Sequence, residues 1–421
     1  MKIAVVGGGS TYTPELVDGL ARVPAGMRVD ELVLFDPDSE RLRVVGEFAQ
    51  RMLTHAGSDT RLVLTDDRQR ALEGASVVLL QFRVGGQQAR ARDESFPLEC
   101  GCVGQETTGA GGLAKALRTV PVALDIAREA RTRAEPDAWI VDFTNPVGIV
   151  TRALLDDGHR AVGLCNVAIG FQRLFAGWRG VSPGDIDLDH VGLNHLTWVR
   201  AVQQDGVDVL PEILDDFGPE LATRLDLPLA LLRQLAMVPS YYLRYYYAHD
   251  EEVARLRAEG TRAAEVQRIE AELLDLYRDP ALVTKPAALE KRGGAYYSEA
   301  AVGLVASLLG GPDDAGAHVA NVRNRGTLPF LSDDAVIETV CDVTRAGAQP
   351  RSVAPLPPLL SGLIAHVSEY EELALQAARH GSRDRVVEAL LAHPLVGQWD
   401  QASRLADALV AGNREFLEWA R

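Results

Sequence analysis

The N-terminal stretch KIAVVGGGSTYTPELVDGL, residues 2–20, indicates the topology of the first half of the chain. Residues 3–6 form a continuous apolar run, which is typical of a strand buried on both faces of a parallel sheet. Three glycines follow, and an amphipathic helix is predicted to begin with Thr13 as its N-cap and Pro14 as its first helical residue. A strand, a glycine turn and a helix in this order present backbone N–H groups and a positive helix end to a pyrophosphate.

The glycine turn matches part of the dinucleotide-binding fingerprint G-x-G-x-x-G. Gly7 and Gly9 occupy the first two glycine positions, whereas Tyr12 occupies the third. A second apolar run, residues 31–35, ends in Asp36, and an acid at this point binds ribose hydroxyls and repels a 2′-phosphate. The alternative is an ordinary β-turn-α corner with a solvated aspartate, but the context favours NAD over NADP. The candidate cofactor-binding residues are Gly7, Gly9, Ser10, Thr11 and Asp36.

Composition indicates a globular enzyme without a membrane span or a signal peptide. Of the 421 residues, 47% are hydrophobic and 24% are charged. No apolar run approaches the roughly 20 residues that cross a bilayer. The net charge of −16 argues against nucleic-acid binding. The four cysteines include no C-x-x-C pair and are expected to be free thiols. We therefore expect a cytoplasmic protein with no nucleic-acid or membrane partner.

Strands and helices alternate through the first part of the chain. The predicted strands are residues 61–64, 76–80, 138–143 and 161–164, and the predicted helices are residues 39–55, 68–73 and 114–133. This alternation implies right-handed βαβ crossovers and a doubly wound, Rossmann-like parallel sheet, so the fold class is α/β. We assign residues 1–165 to a NAD-binding domain. Ligands of such sheets bind beyond the carboxyl ends of the strands, where polar residues become site candidates.

The alternation stops beyond residue 200, and residues 166–421 are expected to form an α+β domain for substrate binding, catalysis and oligomerisation. A hairpin is predicted over residues 200–209 with its turn at Asp205-Gly206. An antiparallel strand is predicted over residues 336–343, with Cys341 in the core. The predicted helices are residues 227–237, 241–249, 250–276 and 295–309, with a helical tail over residues 358–419 that breaks near His380 and His393.

Two polar segments follow strands of the first half. Residues 83–112 form a long, glycine-rich connection with three arginines near its start, and we predict that it is functional rather than a solvated surface loop. Asn145 lies in the triplet Thr-Asn-Pro, directly after the strand predicted over residues 138–143. Its amide could bind a nicotinamide ribose or a substrate hydroxyl, or it could cap the next helix, and the local sequence leaves both possibilities open.

Two further segments carry possible metal or phosphate chemistry. Cys165 follows the strand predicted over residues 161–164, and His195 lies thirty residues later. A thiolate and an imidazole could hold a divalent metal, although by spacing alone a core cysteine and a satisfied core histidine are the better interpretation. Lys291 and Arg292 precede a Gly-Gly pair predicted to open a helix, which suits a phosphate site and, equally, a charged helix cap.

Together these segments resemble glycoside hydrolase family 4, the glycosidases that depend on NAD and a divalent metal. The resemblance covers nearly the whole chain, and six motifs in the family's order carry it. They are GGGSTY (7–12), GQETTG (104–109), TNP (144–146), GLCN (163–166), GLNH (192–195) and PSYYLRYY (239–246).

The resemblance implies a redox-assisted elimination. C3 of the sugar is oxidised by hydride transfer to NAD⁺, the C2 proton is removed, the aglycone leaves C1, water adds and C3 is reduced again. A divalent metal, expected to be Mn²⁺, polarises the C3 oxygen. The resemblance implies that Cys165 and His195 are the metal ligands. It implies that Tyr242 is the base, with Tyr241 as the alternative if the register is shifted by one residue, and that Glu106 raises the basicity of that tyrosine. The implied substrate-binding residues are Arg90, Asn145, Asn166 and Arg292, with Arg292 at the phosphate.

Asn166 suggests the subfamily. Members that act on α-linkages commonly have Cys-Asp where this chain has Cys165-Asn166, and asparagine resembles the 6-phospho-β-glucosidases. We therefore expect a cytoplasmic, NAD- and Mn²⁺-dependent 6-phospho-β-glucosidase that acts on a small phosphorylated glycoside as a homodimer or homotetramer. The alternatives are a family member acting on a non-phosphorylated, α-linked, galacto or uronic glycoside, a hydroxy-acid dehydrogenase, and an inactive NAD-binding sensor protein.

Overall fold

The computed structural model describes residues 1–22, 27–292, 296–310 and 315–421. The strands are β1 (Lys2–Val6), β2 (Glu31–Phe35), β3 (Arg61–Thr65), β4 (Val77–Leu80), β5 (Trp139–Asp142), β6 (Ala161–Gly163), β7 (Ile186–Leu193), β8 (Leu196–Gln204), β9 (Val207–Asp208), β10 (Val238–Pro239), β11 (Gly316–Arg323), β12 (Val336–Thr344) and β13 (Gly347–Pro350). The helices are α1 (Thr13–Leu20), α2 (Ser39–His55), α3 (Arg68–Leu72), α4 (Gly86–Glu99), α5 (Gly109–Arg133), α6 (Val147–Asp156), α7 (Val167–Arg179), α8 (Leu210–Leu225), α9 (Leu229–Leu235), α10 (Arg244–Tyr247), α11 (His249–Glu259), α12 (Arg262–Tyr277), α13 (Ala288–Lys291), α14 (Tyr297–Leu309), α15 (Pro358–His380), α16 (Arg383–Ala392) and α17 (Trp399–Asn413).

The strands of the described residues form one mixed sheet. Six parallel strands in the order β3-β2-β1-β4-β5-β6 make up its first half, which is the strand order of a doubly wound dinucleotide-binding sheet. β4 and β5 are buried along their whole length, as expected for parallel strands with helices on both faces. The predicted α/β fold with a Rossmann-like first half is confirmed.

Antiparallel strands extend the sheet beyond β6 in the order β11-β12-β7-β8-β10. β9 pairs with β8 and completes the hairpin predicted around Asp205-Gly206. Cys341 in β12 is fully buried, as predicted. The helical tail consists of α15, α16 and α17, with the two expected breaks. The division at residue 165 stays a prediction, and it falls where parallel pairing gives way to antiparallel pairing.

The N-terminus of α1 corrects one prediction. Tyr12 is the N-cap, so Thr13 and Pro14 are the first two helical residues, and Thr13 was wrongly predicted as the cap. The Thr13 hydroxyl instead donates to the carbonyl of Gly8 (2.9 Å) and accepts from Nε2 of Gln81 (2.7 Å). A buried hydroxyl bonded in both roles is not available to accept from the helix N–H groups.

The segment 83–112 is not one long connection, because α4 occupies its centre. This helix was missed because its buried face carries charge: Arg90, Asp93 and Glu94 are all buried. The apolar periodicity that indicates a helix is therefore absent. Asp93 pairs with Arg118 of α5, with 2.9 Å between Oδ1 and Nη1, so the buried charges compensate each other.

Other predicted helices also differ from the structure in extent, and α5 begins five residues before the helix predicted over residues 114–133. The helix predicted over residues 250–276 is two helices, α11 and α12, which separate at Gly260 with φ +87°. The helix predicted over residues 241–249 is a 3₁₀ turn (Tyr241–Leu243) followed by α10. The predicted helix 295–309 starts outside the described residues, and α14 begins at Tyr297. None of the helices in the described ranges is long and apolar enough to cross a bilayer.

Gly111 of α5 gives a test of this packing. A Cβ at Gly111 would lie 2.2 Å from the carbonyl oxygen of Gln105 and 2.5 Å from that of Asp93. Gly111→Ala should lower the Tm measured by calorimetry, although alanine normally stabilises a helix by about 0.5–1 kcal/mol relative to glycine. Gly412→Ala in α17, where no described atom lies within 4 Å of the new Cβ, is the control and should not lower the Tm. A Gly111→Ala protein as stable as the wild type would contradict the packing.

The imidazole of His393 lies at the N-terminus of α5. Its Nε2 is 3.1 Å from the backbone nitrogen of Gly109, and its Nδ1 is 3.1 Å from that of Leu395. Burial, with a smaller contribution from His366, lowers the pKa of His393 to about 3. The folded protein therefore keeps this ring neutral at pH values where the unfolded chain is protonated.

Acid should destabilise the fold through His393. Between about pH 6 and 4 the unfolded chain holds one more proton at this residue, so the free energy of unfolding should fall by roughly 1.4 kcal/mol per pH unit from this group. His393→Gln removes the titrating group and should reduce the pH slope of the unfolding free energy by that amount, measured by urea unfolding across this range. An identical slope in both proteins would show that His393 is protonated in the folded state.

Candidate active site

One large pocket of about 1480 Å³ opens beyond the carboxyl ends of β1, β2, β4 and β5. This is the edge at which a doubly wound sheet binds its ligands. Nine of the predicted site residues line the pocket: Gly7, Ser10, Asp36, Arg90, Glu106, Asn145, Asn166, Tyr242 and Arg292. Thr11, Cys165 and His195 are buried, and Gly9 contacts the Asp36 carboxylate.

The glycine turn and Asp36 form one end of the pocket. Gly7 has φ +92°, and a Cβ there would lie 2.8 Å from the backbone of Phe82, so only glycine fits. The Asp36 carboxylate accepts hydrogen bonds of 3.0 Å from the backbone N–H groups of Gly9 and Asp38, although burial raises the pKa of Asp36. A side-chain-free turn beside a fixed acid at the tip of β2 fits a dinucleotide with a free 2′-hydroxyl.

Glu270 of α12 joins the glycine turn to the second half of the chain. Its carboxylate pairs with Arg41 (3.0 Å) and Arg292 (2.8 Å), and accepts a hydrogen bond of 2.8 Å from Gln87. Arg41 also donates to the carbonyl of Gly9 (2.7 Å). Arg292 therefore lies in the pocket but is held by a carboxylate, and the Gly-Gly pair expected to follow it lies outside the described residues.

Sequence reasoning missed Glu270, although a signal was present. Glu270 occupies a buried position of α12 among the apolar residues Val266, Ile269 and Leu273. A charged residue on the apolar face of an amphipathic helix needs a partner, and this position could have identified it.

Glu106 lies among three cations. Its carboxylate forms an ion pair with Arg83, accepts from Nζ of Lys115 (2.9 Å) and lies 3.4 Å from Nη1 of Arg90. Burial would raise the pKa of Glu106, but the three cations hold it well below its usual range. Burial and the Arg83 guanidinium lower the pKa of Lys115 to about 7, against the opposing effect of Glu106. Lys115 was also missed, because it lies in the otherwise apolar first turns of α5.

Arg90 and Asn145 both line the pocket, but only Arg90 has hydrogen-bond partners among the described side chains. Arg90 is buried and donates from Nε to Glu94 (2.7 Å) in addition to its contact with Glu106. Asn145 has a buried side-chain oxygen that no described residue satisfies. This oxygen is free to accept a hydrogen bond from a donor in the pocket. Asn166 also lines the pocket and is the N-cap residue of α7.

The imidazole of His195 stacks on the ring of Tyr242, with 3.6 Å between the ring centroids and 9° between the planes. His195 lies in the turn between β7 and β8 with φ +64°, a left-handed conformation that is uncommon outside glycine. Its Nδ1 is 2.9 Å from the hydroxyl of Thr107. Burial lowers the pKa of His195 to about 4, so the ring is neutral near pH 7, which is the form that binds metals. Tyr241 instead stacks on Phe171, at 5.0 Å.

Cys165 lies in the short segment between β6 and α7. Burial and the nearby Glu338 carboxylate raise the pKa of its thiol. The backbone N–H groups of Val167 and Asn166 and the side chain of Asn194 hydrogen-bond to the sulfur and favour the thiolate. Since Asn194 precedes His195 in the same turn, the thiol and the imidazole belong to one cluster.

Glu338 lies behind this cluster and is buried. It accepts hydrogen bonds of 3.0 Å from the amides of Asn194 and Asn321, and its Oε1 is 3.1 Å from Nε2 of His190. Residues 336–343 were predicted only as an antiparallel strand, and Glu338 was not predicted as part of the site. The available signal was its position next to the apolar residues Val336 and Ile337 of β12.

The side chains of Cys165 and His195 suit a divalent cation in part. They offer sulfur and neutral nitrogen donors, which bind transition metals. The described residues contain no group of three or more histidine, cysteine, aspartate or glutamate side chains arranged to hold an ion. Burial, then Cys165, raises the pKa of Tyr242, and a nearby cation would act in the opposite direction.

Comparison with known proteins covers both halves of the chain. The family model described as Family 4 glycosyl hydrolase matches residues 2–179. The model described as Family 4 glycosyl hydrolase C-terminal domain matches residues 190–396. Together they span the glycine turn, the Cys165 and His195 cluster and Tyr242.

Individual relatives agree with the family models. A probable 6-phospho-β-glucosidase of Bacillus subtilis is 40% identical, covering 99% of this chain and 97% of the relative. A 6-phospho-β-glucosidase of Escherichia coli is 35% identical, covering 99% and 96%. The structure of the 6-phospho-β-glucosidase of Thermotoga maritima with NAD and glucose-6-phosphate has a TM-score of 0.93 at 34% identity, covering 99% of both chains. A second structure of that enzyme, with manganese, NAD⁺ and glucose-6-phosphate, has a TM-score of 0.91 at 33% identity and the same coverage. This chain therefore belongs to glycoside hydrolase family 4, as its six motifs predicted.

Proposed function

We propose that this chain is a 6-phospho-β-glucosidase that depends on NAD⁺ and Mn²⁺. The observation that carries the proposal is the cluster of Cys165, His195 and Tyr242 beside a pocket whose other end is a dinucleotide turn. Relatives of that name, 40% and 35% identical over 99% of this chain, support the assignment. Asn166, in place of the aspartate of α-specific members, supports the β-linkage. These findings favour a phosphoglucosidase over another glycosidase or an inactive sensor.

Each residue of the cluster has a proposed role. Cys165 and His195 would hold the metal, and the bound NAD⁺ and metal would together supply transient oxidation at C3 of the sugar and Lewis acidity at its oxygen. Tyr242, in its phenolate form, accepts the proton from C2. The Glu106 carboxylate raises the pKa of Tyr242, which makes the phenolate a stronger base once it forms.

The substrate is proposed to lie between two cationic groups. Arg83, Arg90 and Lys115 surround Glu106. Arg90 also pairs with Glu94, so three cations face two carboxylates and the group keeps at most one excess positive charge. Arg41 and Arg292 share Glu270, so one positive charge there is not neutralised, and we assign Arg292 to the sugar phosphate. The unsatisfied oxygen of Asn145 is proposed to accept from a substrate or ribose hydroxyl. Asn166 is proposed to face the glycosidic oxygen.

We also propose that the enzyme acts in the cytoplasm as a homodimer or homotetramer. A substrate that is phosphorylated during its uptake is encountered inside the cell, which supports that location. The side chains of Leu359 and Trp399, which lie at the starts of α15 and α17, are 56% and 64% exposed. Large apolar side chains of this kind offer surface that a second subunit could cover.

Release of p-nitrophenol from its 6-phospho-β-glucoside tests the function. Release should require both NAD⁺ and Mn²⁺ and should leave no net NADH. Tyr242→Phe should lower kcat by about 10²–10⁴-fold, the usual contribution of a general base, whereas Tyr241→Phe, the matched control, should retain it within about threefold. Stoichiometric formation of NADH would instead indicate a dehydrogenase. Binding of NAD⁺ without turnover would indicate a sensor protein. Release only from the α-anomer or from unphosphorylated glycosides would indicate a different substrate.

Glu338→Gln tests the proposed metal site without relying on activity. Loss of the buried negative charge behind Cys165 and Asn194 should weaken Mn²⁺ binding by roughly 10–100-fold, the range found for residues that support metal ligands. The dissociation constant can be measured by the electron paramagnetic resonance signal of free Mn²⁺. Glu252→Gln is the control, because that carboxylate is also buried but pairs with Arg255 and Arg244. Equal affinity in both variants and the wild type would contradict the placement of the metal.

A further inference from the structure

The pocket does not end at the reacting centre but continues along one face of α7. Helix α7 begins directly after Asn166, and six of its residues line the pocket: Val167, Gly170, Arg173, Leu174, Gly177 and Trp178. Their spacing of three and four residues places them on a single side of the helix. The groove therefore leads away from Cys165, at the N-terminus of α7, and ends at Trp178.

The floor of this groove is open and its aromatic rings are held in place. No described atom lies within 4 Å of a Cβ built at Gly170 or at Gly177, so these glycines leave free space above the helix. The half-buried ring of Trp178 stacks on Phe217, with 4.8 Å between centroids and 2° between planes. Tyr241, which also lines the groove, is stacked on Phe171. Fixed, partly exposed rings beside an empty strip provide flat apolar surfaces for a ring-shaped ligand.

The charge distribution separates this groove from the phosphate end of the pocket. Its two cations are already paired. Arg173 forms an ion pair with Glu299, and the Arg173 guanidinium also lies 4.4 Å from the centroid of the Tyr296 ring. Arg224 pairs with Glu220 at 2.8 Å. The excess positive charge lies instead around Glu106 and Glu270. An anionic phosphate is therefore attracted away from α7, and a neutral group fits along it.

We propose that the α7 face is the aglycone subsite, and that it takes aglycones with a flat apolar face, either an aryl ring or the apolar face of a second pyranose. This rests on the proposed function, because it assumes that the bond broken lies beside Asn166. The ring of the departing group lies over Gly170 and Gly177 and packs against Trp178. The structure thus assigns to one helix both the reacting centre, at its N-terminus, and the leaving-group specificity, along its side.

The test compares aglycones of different size. The wild type, Gly170→Leu and Trp178→Ala are assayed with three 6-phospho-β-glucosides. Their aglycones are p-nitrophenol, a second glucose and methanol. Gly170→Leu fills the strip, and Trp178→Ala removes the ring. Each should lower kcat/KM for the two ring aglycones by about tenfold relative to methyl. Gly412→Leu in α17, where no described atom lies within 4 Å of a built Cβ either, should change none of the three.

The outcomes separate this inference from the proposed function. No release from any of the three substrates by the wild type would contradict the proposed function itself. Activity on all three, with both variants lowering them equally or lowering none, would overturn the subsite. A selective loss for the aryl substrate alone would support an aryl aglycone, and a selective loss for both ring substrates would support stacking of rings in general.

Discussion

The stack of His195 on Tyr242 is the contact that brings the two halves of the proposed chemistry together. His195 lies in the turn before β8, and Tyr242 lies in the 3₁₀ turn after β10. The pairing of β10 with β8, at Val238 with Val199 and Pro239 with Trp198, sets the distance between these turns. A shift of β10 by one residue would turn the following side chains to the other face and separate Tyr242 from His195. Sheet register therefore determines whether the site exists.

The distribution of buried charge gives the two ends of the site opposite preferences. Three cations surround Glu106, which leaves that region positive and suited to an anionic substrate group. Glu338 is held by one imidazole and two amides. Burial dominates the pKa of both neighbours, raising that of Cys165 and lowering that of His195, and the negative charge of Glu338 adds to the first shift and opposes the second. A buried negative charge beside a thiol and an imidazole suits a cation. The net charge of the chain, −16, does not reveal this local arrangement.

The parallel half of the fold could be predicted from the sequence because strands buried on both faces are continuous apolar runs, as β1, β2 and β4 are. The same rule failed where charge replaces apolar residues in the interior: α4 buries Arg90, Asp93 and Glu94 and shows no apolar periodicity. Thr13 was predicted as a helix cap, but its hydroxyl bonds to Gly8 and Gln81 instead. The bond to Gln81, which is 68 residues away along the chain, could not be predicted from the local sequence.

The candidate site residues could be named from the sequence, but the buried carboxylates that lie behind them could not. Cys165, His195 and Tyr242 came from the resemblance of short motifs, since a cysteine and a histidine thirty residues apart carry no metal signature of their own. Glu270 and Glu338 lie 105 or more residues beyond Cys165 along the chain and reach the site only through α12 and β12. Their signal, an acid in an apolar stretch, indicates a partner without identifying it.

Deuterium incorporation provides a direct test of the proposed elimination. The wild-type enzyme hydrolyses p-nitrophenyl 6-phospho-β-glucoside in D₂O, and the glucose 6-phosphate is analysed by mass spectrometry and proton NMR, with glucose 6-phosphate incubated without enzyme as the control. If Tyr242 removes the C2 proton and a solvent deuteron replaces it, the product carries one stable deuterium at C2. Complete hydrolysis with hydrogen retained at C2 would contradict the mechanism, because a displacement at C1 by carboxylates leaves that bond intact.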